Sequence, residues 1–323
     1  MRLAGARITV TTELEQSAFL ADLTSKDRRI GRIVLTLPLG ALAALLAGLV
    51  AGGGVYLAFA LLSGDPEAGD RLLQATRDPA VLASSLTFSL FLFCILAAAN
   101  GAMALAFTAV GAGLMTRRLR SYFTAAPRFR WRLMLAGLVL FAAVGAPLFL
   151  GLALLDPTSV TPPILTQVST LPGRLAYALA TTVLLLIAAA AEELVFRGWL
   201  LKLTAAFLRR PWPLLILNGL LFAAIHMDPN LDAFLVRMAM GMGLGWMTLR
   251  LGGIEFAIGA HAANNILILL LVRPMTLTDP PHAFEPSSLV VAPLMLLAFI
   301  TLAEVVVRVG PLRRWTRAEI AST

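Results

Sequence analysis

"AAAAEELVFRGWL", residues 188–200, sets two adjacent carboxylates, Glu192 and Glu193, against the end of a long uncharged run, with Arg197 one helical turn later. An ionisable side chain inside a hydrocarbon layer costs about 2.5–3.5 kcal/mol even on a lenient insertion scale. Three charges on one turn therefore mark either the end of a membrane span or a polar site built within one. The surrounding chain fixes the first half of that question. Hydrophobic residues make up 59% of the 323 and charged residues 14%, against roughly 25% charged in soluble proteins. Apolar stretches of spanning length recur too often for a soluble core to hide them.

Working outward from this stretch, spans are expected near 33–62, 82–115, 133–155, 174–207, 212–227, 231–249, 253–272 and 288–307. The expected fold is an all-α polytopic bundle of eight membrane helices. Its parts are an arm at 1–30, helices 1–3 at 31–155, a core of helices 4–7 at 174–272, and a last helix with basic tail at 288–323. If the amino terminus faces the cytoplasm, 21 Lys and Arg fall on the cytoplasmic side and four on the other. That asymmetry puts both termini in the cytoplasm. The pI near 10.9 follows from the same flanking cations, so the expected partner is the lipid bilayer and not nucleic acid. Residues 1–29 carry Glu13, Glu15, Asp22 and Asp27 and read as a polar arm, not a signal peptide. One cysteine, Cys94, excludes a disulfide framework. The basic stretch 117–132 reads as an anchor to anionic lipid, with Tyr122, Phe123 and Trp131 at the interface.

Polar residues within the spans carry the chemistry. Glu192, Glu193 and Arg197 lie on span 4, and His226 closes span 5. Arg237 is on span 6, and His261, Asn264 and Asn265 are on span 7. Glu193 and Arg197 share a face at i,i+4 and can pair, whereas Glu192 lies about 100° away and can point elsewhere. His261 and Asn265 repeat the spacing, as do Phe222 and His226. Arg237 reads as snorkelling or pairing with a nearby acid, with binding of a substrate carboxylate as the lesser option. Asn100 and Asn218 read as interhelical hydrogen-bonders, Gly241 and Gly245 as close helix packing, and His282 as a solvated loop residue.

A glutamate with a histidine can deprotonate water, and a histidine with an asparagine can stabilise an oxyanion. Two histidines and a glutamate, here His226, His261 and Glu192, are equally a zinc ligand set. HExxH, GxSG and GxGD motifs are absent, which removes three other intramembrane protease chemistries.

At these residues the chain resembles the CPBP family, the CAAX-type prenyl endopeptidases and bacterial membrane proteases linked to bacteriocin processing and immunity. Glu192–Glu193 through Arg197 matches EExxxR, Phe222 through His226 matches FxxxH, and His261 through Asn265 matches HxxxN. The resemblance covers roughly 174–272. It implies an intramembrane endopeptidase with Glu192 as general base, helped by His226. It also implies an oxyanion site at His261 and Asn265, a supporting Glu193–Arg197 pair, and Phe222 as a substrate contact. A metal-free route and a zinc-dependent one are both open. The expected substrate is a membrane-associated protein or peptide, and the Ala-, Leu- and Arg-rich composition points to a bacterial inner membrane. Two other classes compete: a transporter or proton relay using Glu192 and His226 as carriers, and an immunity or scaffold protein of the same fold.

Overall fold

The computed structural model describes residues 10–64, 67, 70, 71, 74, 85–155, 160–166, 168–273 and 281–316. The orientation expectations that rest on Arg2, Arg7, Arg77 and Arg317 lie outside those residues. Eight long helices form at the expected places: α1 Ile30–Leu62, α2 Leu86–Leu114, α3 Trp131–Leu155 and α4 Leu171–Phe207. They are followed by α5 Pro211–Ala224, α6 Leu231–Leu251, α7 Glu255–Val272 and α8 Ser288–Arg308. No strand forms among the described residues.

The all-α membrane bundle is as expected, and its helices differ in how well they suit a crossing. Six helices, α1–α4, α7 and α8, are long and apolar enough to cross a membrane. The 14 residues of α5 rise only about 21 Å, short of a hydrocarbon core of about 30 Å. The 21-residue α6 is long enough but carries Asp232, Arg237 and Arg250, too many charges for a lipid-facing helix.

Helix starts follow local chemistry. Thr170 caps α4 by accepting from the Gly173 amide. Pro211 opens α5, where its missing N–H has no partner to lose. Gly252, at φ +70°, ends α6 in the left-handed region that a side chain disfavours. The α2–α3 linker then docks on that end, with Thr124 bridged to Gly253 and the Ile254 amide donating to the Phe123 carbonyl at 2.8 Å.

Outer and inner helices divide by surface. Leu42, Leu46, Leu49 and Val50 of α1 and Leu148 and Leu150 of α3 are exposed, as a lipid-facing surface requires. The middle of α6, residues 239–249, and most of α7 are buried. The close approach that buries α7 depends on glycines. A Cβ on Gly259 would overlap the Met134 carbonyl, and one on Gly137 the Phe256 carbonyl. Arg130 meets Glu255 at one end and Gly145 lies against Leu267 further along, so α3 and α7 run parallel. The Gly241 and Gly245 spacing serves the same end, since a Cβ on Gly241 would stand 2.9 Å from Gly219 Cα. Gly259→Val is expected to lower stability by about 1–3 kcal/mol through forced separation of α3 and α7. Thermal unfolding in detergent checks it, and an unchanged midpoint would count against the backbone contact.

The amino-terminal arm is more than a polar arm. Leu14, Phe19 and Leu20 are buried, and Ser17 Oγ donates to the Leu249 carbonyl at 2.5 Å. Asp22 pairs with Lys202 and with Arg117, each at 2.7 Å, and Glu13 pairs with Arg250 at 2.9 Å. The arm thus straps together the ends of α2, α4 and α6. Only part of the 117–132 stretch faces outward: Arg117 pairs with Asp22 and Asp27, and Tyr122 is buried, whereas Arg128, Trp131 and Arg132 are exposed. Burial pushes the Tyr122 phenol up to about 12 against the opposing pull of Arg117. Arg130 makes a buried bidentate pair with Glu255, at 2.9 and 2.8 Å.

Candidate active site

Glu192 is residue 22 of the 37-residue helix α4, which runs unbroken past the Glu pair. It therefore lies about 32 Å along the axis from the first residue and about 22 Å from the last. His226 follows a helix that rises about 21 Å from the same end, so the two reach similar depth. The short α5 is what allows this. Directly after Glu193 the helix widens into a π-helical stretch, Leu194–Leu200. A second one, Ile268–Val272, follows the Asn264–Asn265 pair on α7. Single π turns within α-helices cluster at functional sites, and periodicity in the sequence gave no sign of them.

Four groups form a chain across α4 and α7. Arg197 Nη1 donates to Glu193 Oε1 at 3.1 Å. His261 Nδ1 lies 2.7 Å from that same oxygen. His261 Nε2 lies 3.7 Å from Glu192 Oε2. Glu193 is fully buried and paired with Arg197, and as a carboxylate it accepts from its neighbours. The proton of a neutral His261 therefore sits on Nδ1, and Nε2 faces Glu192. Arg197 uses a second N–H on the Gly241 carbonyl at 3.2 Å, and its guanidinium stacks 4.2 Å from the Phe222 ring centre. Removing the Gly241 Cβ is what lets Phe222 approach. Neither contact of Arg197 was anticipated from sequence.

His226 is exposed. Its Nδ1 donates to the Phe222 carbonyl at 2.7 Å, which leaves Nε2 as a lone pair in the neutral ring. The residue after it, Met227, takes φ +48°, a conformation costing about 1–2 kcal/mol for a residue with a Cβ. That turn ends α5 abruptly. His226 lies within electrostatic reach of Glu192, His261 and Arg237.

Glu192, Phe222, His226, His261, Asn264 and Asn265 line one cavity of about 400 Å³, so the catalytic candidates on α4, α5 and α7 converge. Glu193 and Arg197 lie behind them. Glu192 Oε2 is buried with no hydrogen-bond partner. Asn265 Oδ1 accepts from Asn264 Nδ2 at 3.2 Å, which leaves its own amino group as a donor. Met240 and Met295 of α6 and α8 form the facing apolar wall.

At the mouth, Arg237 pairs with Asp228 at 2.5 Å, as the ion-pair reading required. Asp228 also accepts from the Asn230 amide at 2.9 Å. His282 is exposed, as a solvated loop residue should be, though its amide donates to Asn230 Oδ1 at 2.9 Å and its Nε2 is 3.6 Å from Asp232. Asn218 donates from α5 to Thr204 of α4 at 2.8 Å.

The donor chemistry of Glu192, His226 and His261 suits zinc, but their placement does not form a ligand set. Among the described residues no three His, Cys, Asp or Glu side chains stand close enough to hold one ion.

Residues 174–267 match the family of type II CAAX prenyl endopeptidases described as Rce1-like. This bears out the resemblance read from the three motifs. The Rce1-like segment runs from the first turn of α4 to the last α-helical residue of α7 before its π stretch, and holds every catalytic candidate. It is under a third of the chain. The uncharacterized protein YyaK of Bacillus subtilis (strain 168) is 32% identical over 99 residues, 29% of this chain and 33% of that protein. The alignment thus spans about a third of that relative's length. No solved structure matches.

Proposed function

We propose that this protein is an intramembrane endopeptidase that hydrolyses a peptide bond of a membrane-associated protein or peptide. The observation that carries the reading is the convergence of Glu192, His226, His261 and Asn265 on one cavity, with Glu192 Oε2 buried and 3.7 Å from His261 Nε2. Glu192 takes a proton from water, while His226 Nε2 accepts the other O–H and orients it. The water oxygen attacks the peptide carbonyl carbon. Negative charge develops on the carbonyl oxygen, where Asn265 Nδ2 donates. His261 can donate there from Nε2 only as an imidazolium, because its Nδ1 proton is directed at Glu193. Glu192 then passes its proton to the leaving amine as the C–N bond breaks.

A zinc ion would supply a Lewis acid and a more acidic water, but Glu192, His226 and His261 as placed do not gather into a ligand set for it. No step above is routed through it. The cation asymmetry supports cytoplasmic termini, and the Ala-, Leu- and Arg-rich composition supports a bacterial inner membrane.

The test is cleavage of membrane-peptide libraries by the full chain in liposomes, read by mass spectrometry. Wild type is expected to cut a defined bond, and His226→Ala to cut it about 10²-fold more slowly. Metal analysis of both preparations separates loss of a ligand from loss of a base. Ion flux across the liposomes with no cleavage by wild type would sink the protease reading in favour of a proton relay.

A further inference from the structure

The α3–α4 seam carries two adjoining cavities away from the active site. One, of about 740 Å³, is an apolar groove walled by Val183, Leu186 and Ile187 of α4, Met134 of α3 and Ile258 of α7. The other, of about 430 Å³, lies over the α2–α3 linker and is lined by Arg128 and Arg132. They meet at Phe129 and Trp131, which line both and whose rings sit 4.6 Å apart.

The charges sort themselves by partner. Arg117 and Arg130 are spent on buried carboxylates, and Arg120 donates to the carbonyls of Ala126 and Pro127. Arg128 and Arg132 are exposed, and among the described residues neither is held in an ion pair. A cation pair at one end, an interfacial tryptophan at the waist and an apolar trough beyond match an amphiphile with an anionic head. The volumes are those of ligand sites. The trough opens between outer helices whose neighbours Leu135 and Val139 are exposed, where acyl chains lie.

We propose that this seam binds an anionic phospholipid, its phosphate on Arg128 and Arg132 and one acyl chain along the α3–α4 groove. The chain would lie against Ala190, two residues before Glu192, and Ile258, one turn before His261. The lipid would therefore touch the outer faces of both helices that carry the site.

Native mass spectrometry of the detergent-solubilised full chain, titrated with phosphatidylglycerol or phosphatidylcholine, tests this. Wild type is expected to retain phosphatidylglycerol preferentially. The Arg128→Gln/Arg132→Gln variant is expected to weaken it by on the order of twentyfold, about fivefold per arginine. Ile187→Trp, which leaves both arginines in place and fills the trough, is expected to weaken it too, and serves alone if the double variant fails to fold. Equal retention of both lipids, no effect of either variant, or preference for a lipidated peptide over phosphatidylglycerol would overturn the proposal.

Discussion

Glu192→Gln is expected to lower peptide cleavage by about 10²- to 10⁴-fold with the fold retained. The range is that of a lost general base. Glutamine keeps the size and one acceptor but cannot take the proton of the attacking water. The substitution is structurally mild because Glu192 Oε2 has no hydrogen-bond partner, and the Arg197–Glu193–His261 chain does not pass through it. Cleavage rates and thermal midpoints measured on one preparation check both halves. Full activity in the glutamine variant would remove Glu192 from the chemistry. The same variant, still able to bind substrate, suits trapping of the unknown partner.

Arg197→Ala is expected to cost about 3–5 kcal/mol of stability, because removing one member of a buried pair strands the other charge. Glu193 would stay fully buried with only His261 to answer it. Arg197→Lys should recover little. A single ammonium cannot serve Glu193 and the Gly241 carbonyl while lying flat over Phe222, as the guanidinium does. The double variant Glu193→Gln/Arg197→Met, which leaves no charge behind, should be more stable than Arg197→Ala alone. Thermal unfolding in detergent reads all three. A single alanine variant that melts with wild type would mean the pair is not buried as described.

Much of this was legible along the chain, for a physical reason. Spanning helices are set by local composition, since lipid demands long apolar runs with every backbone group bonded within the helix. Glu192, Glu193, Arg197, His226, His261 and Asn265 stood out because ionisable and amide groups in such runs are costly and hence rare. The i,i+4 spacing even anticipated the Glu193–Arg197 pair. The depth each helix reaches was less legible. Apolarity marked α5 as a membrane helix, but only its length of 14 residues explains how it brings His226 to the depth of Glu192.

Contacts between distant segments were decided only in the tertiary structure. Glu193 accepts a hydrogen bond from His261, 68 residues away, which sets the tautomer and hence which nitrogen faces Glu192. Arg130, read as a lipid anchor, turns inward to Glu255, 125 residues on. The arm at residues 10–29 is polar in composition yet buries Leu14 and Phe19 against helices that follow it. The π-helical turns after Glu193 and Asn265 depend on how α4 and α7 pack. The sequence alone determined which residues are too polar for lipid. Only the packing of α4, α5 and α7 decided that they meet, because no local pattern encodes the distance between helices.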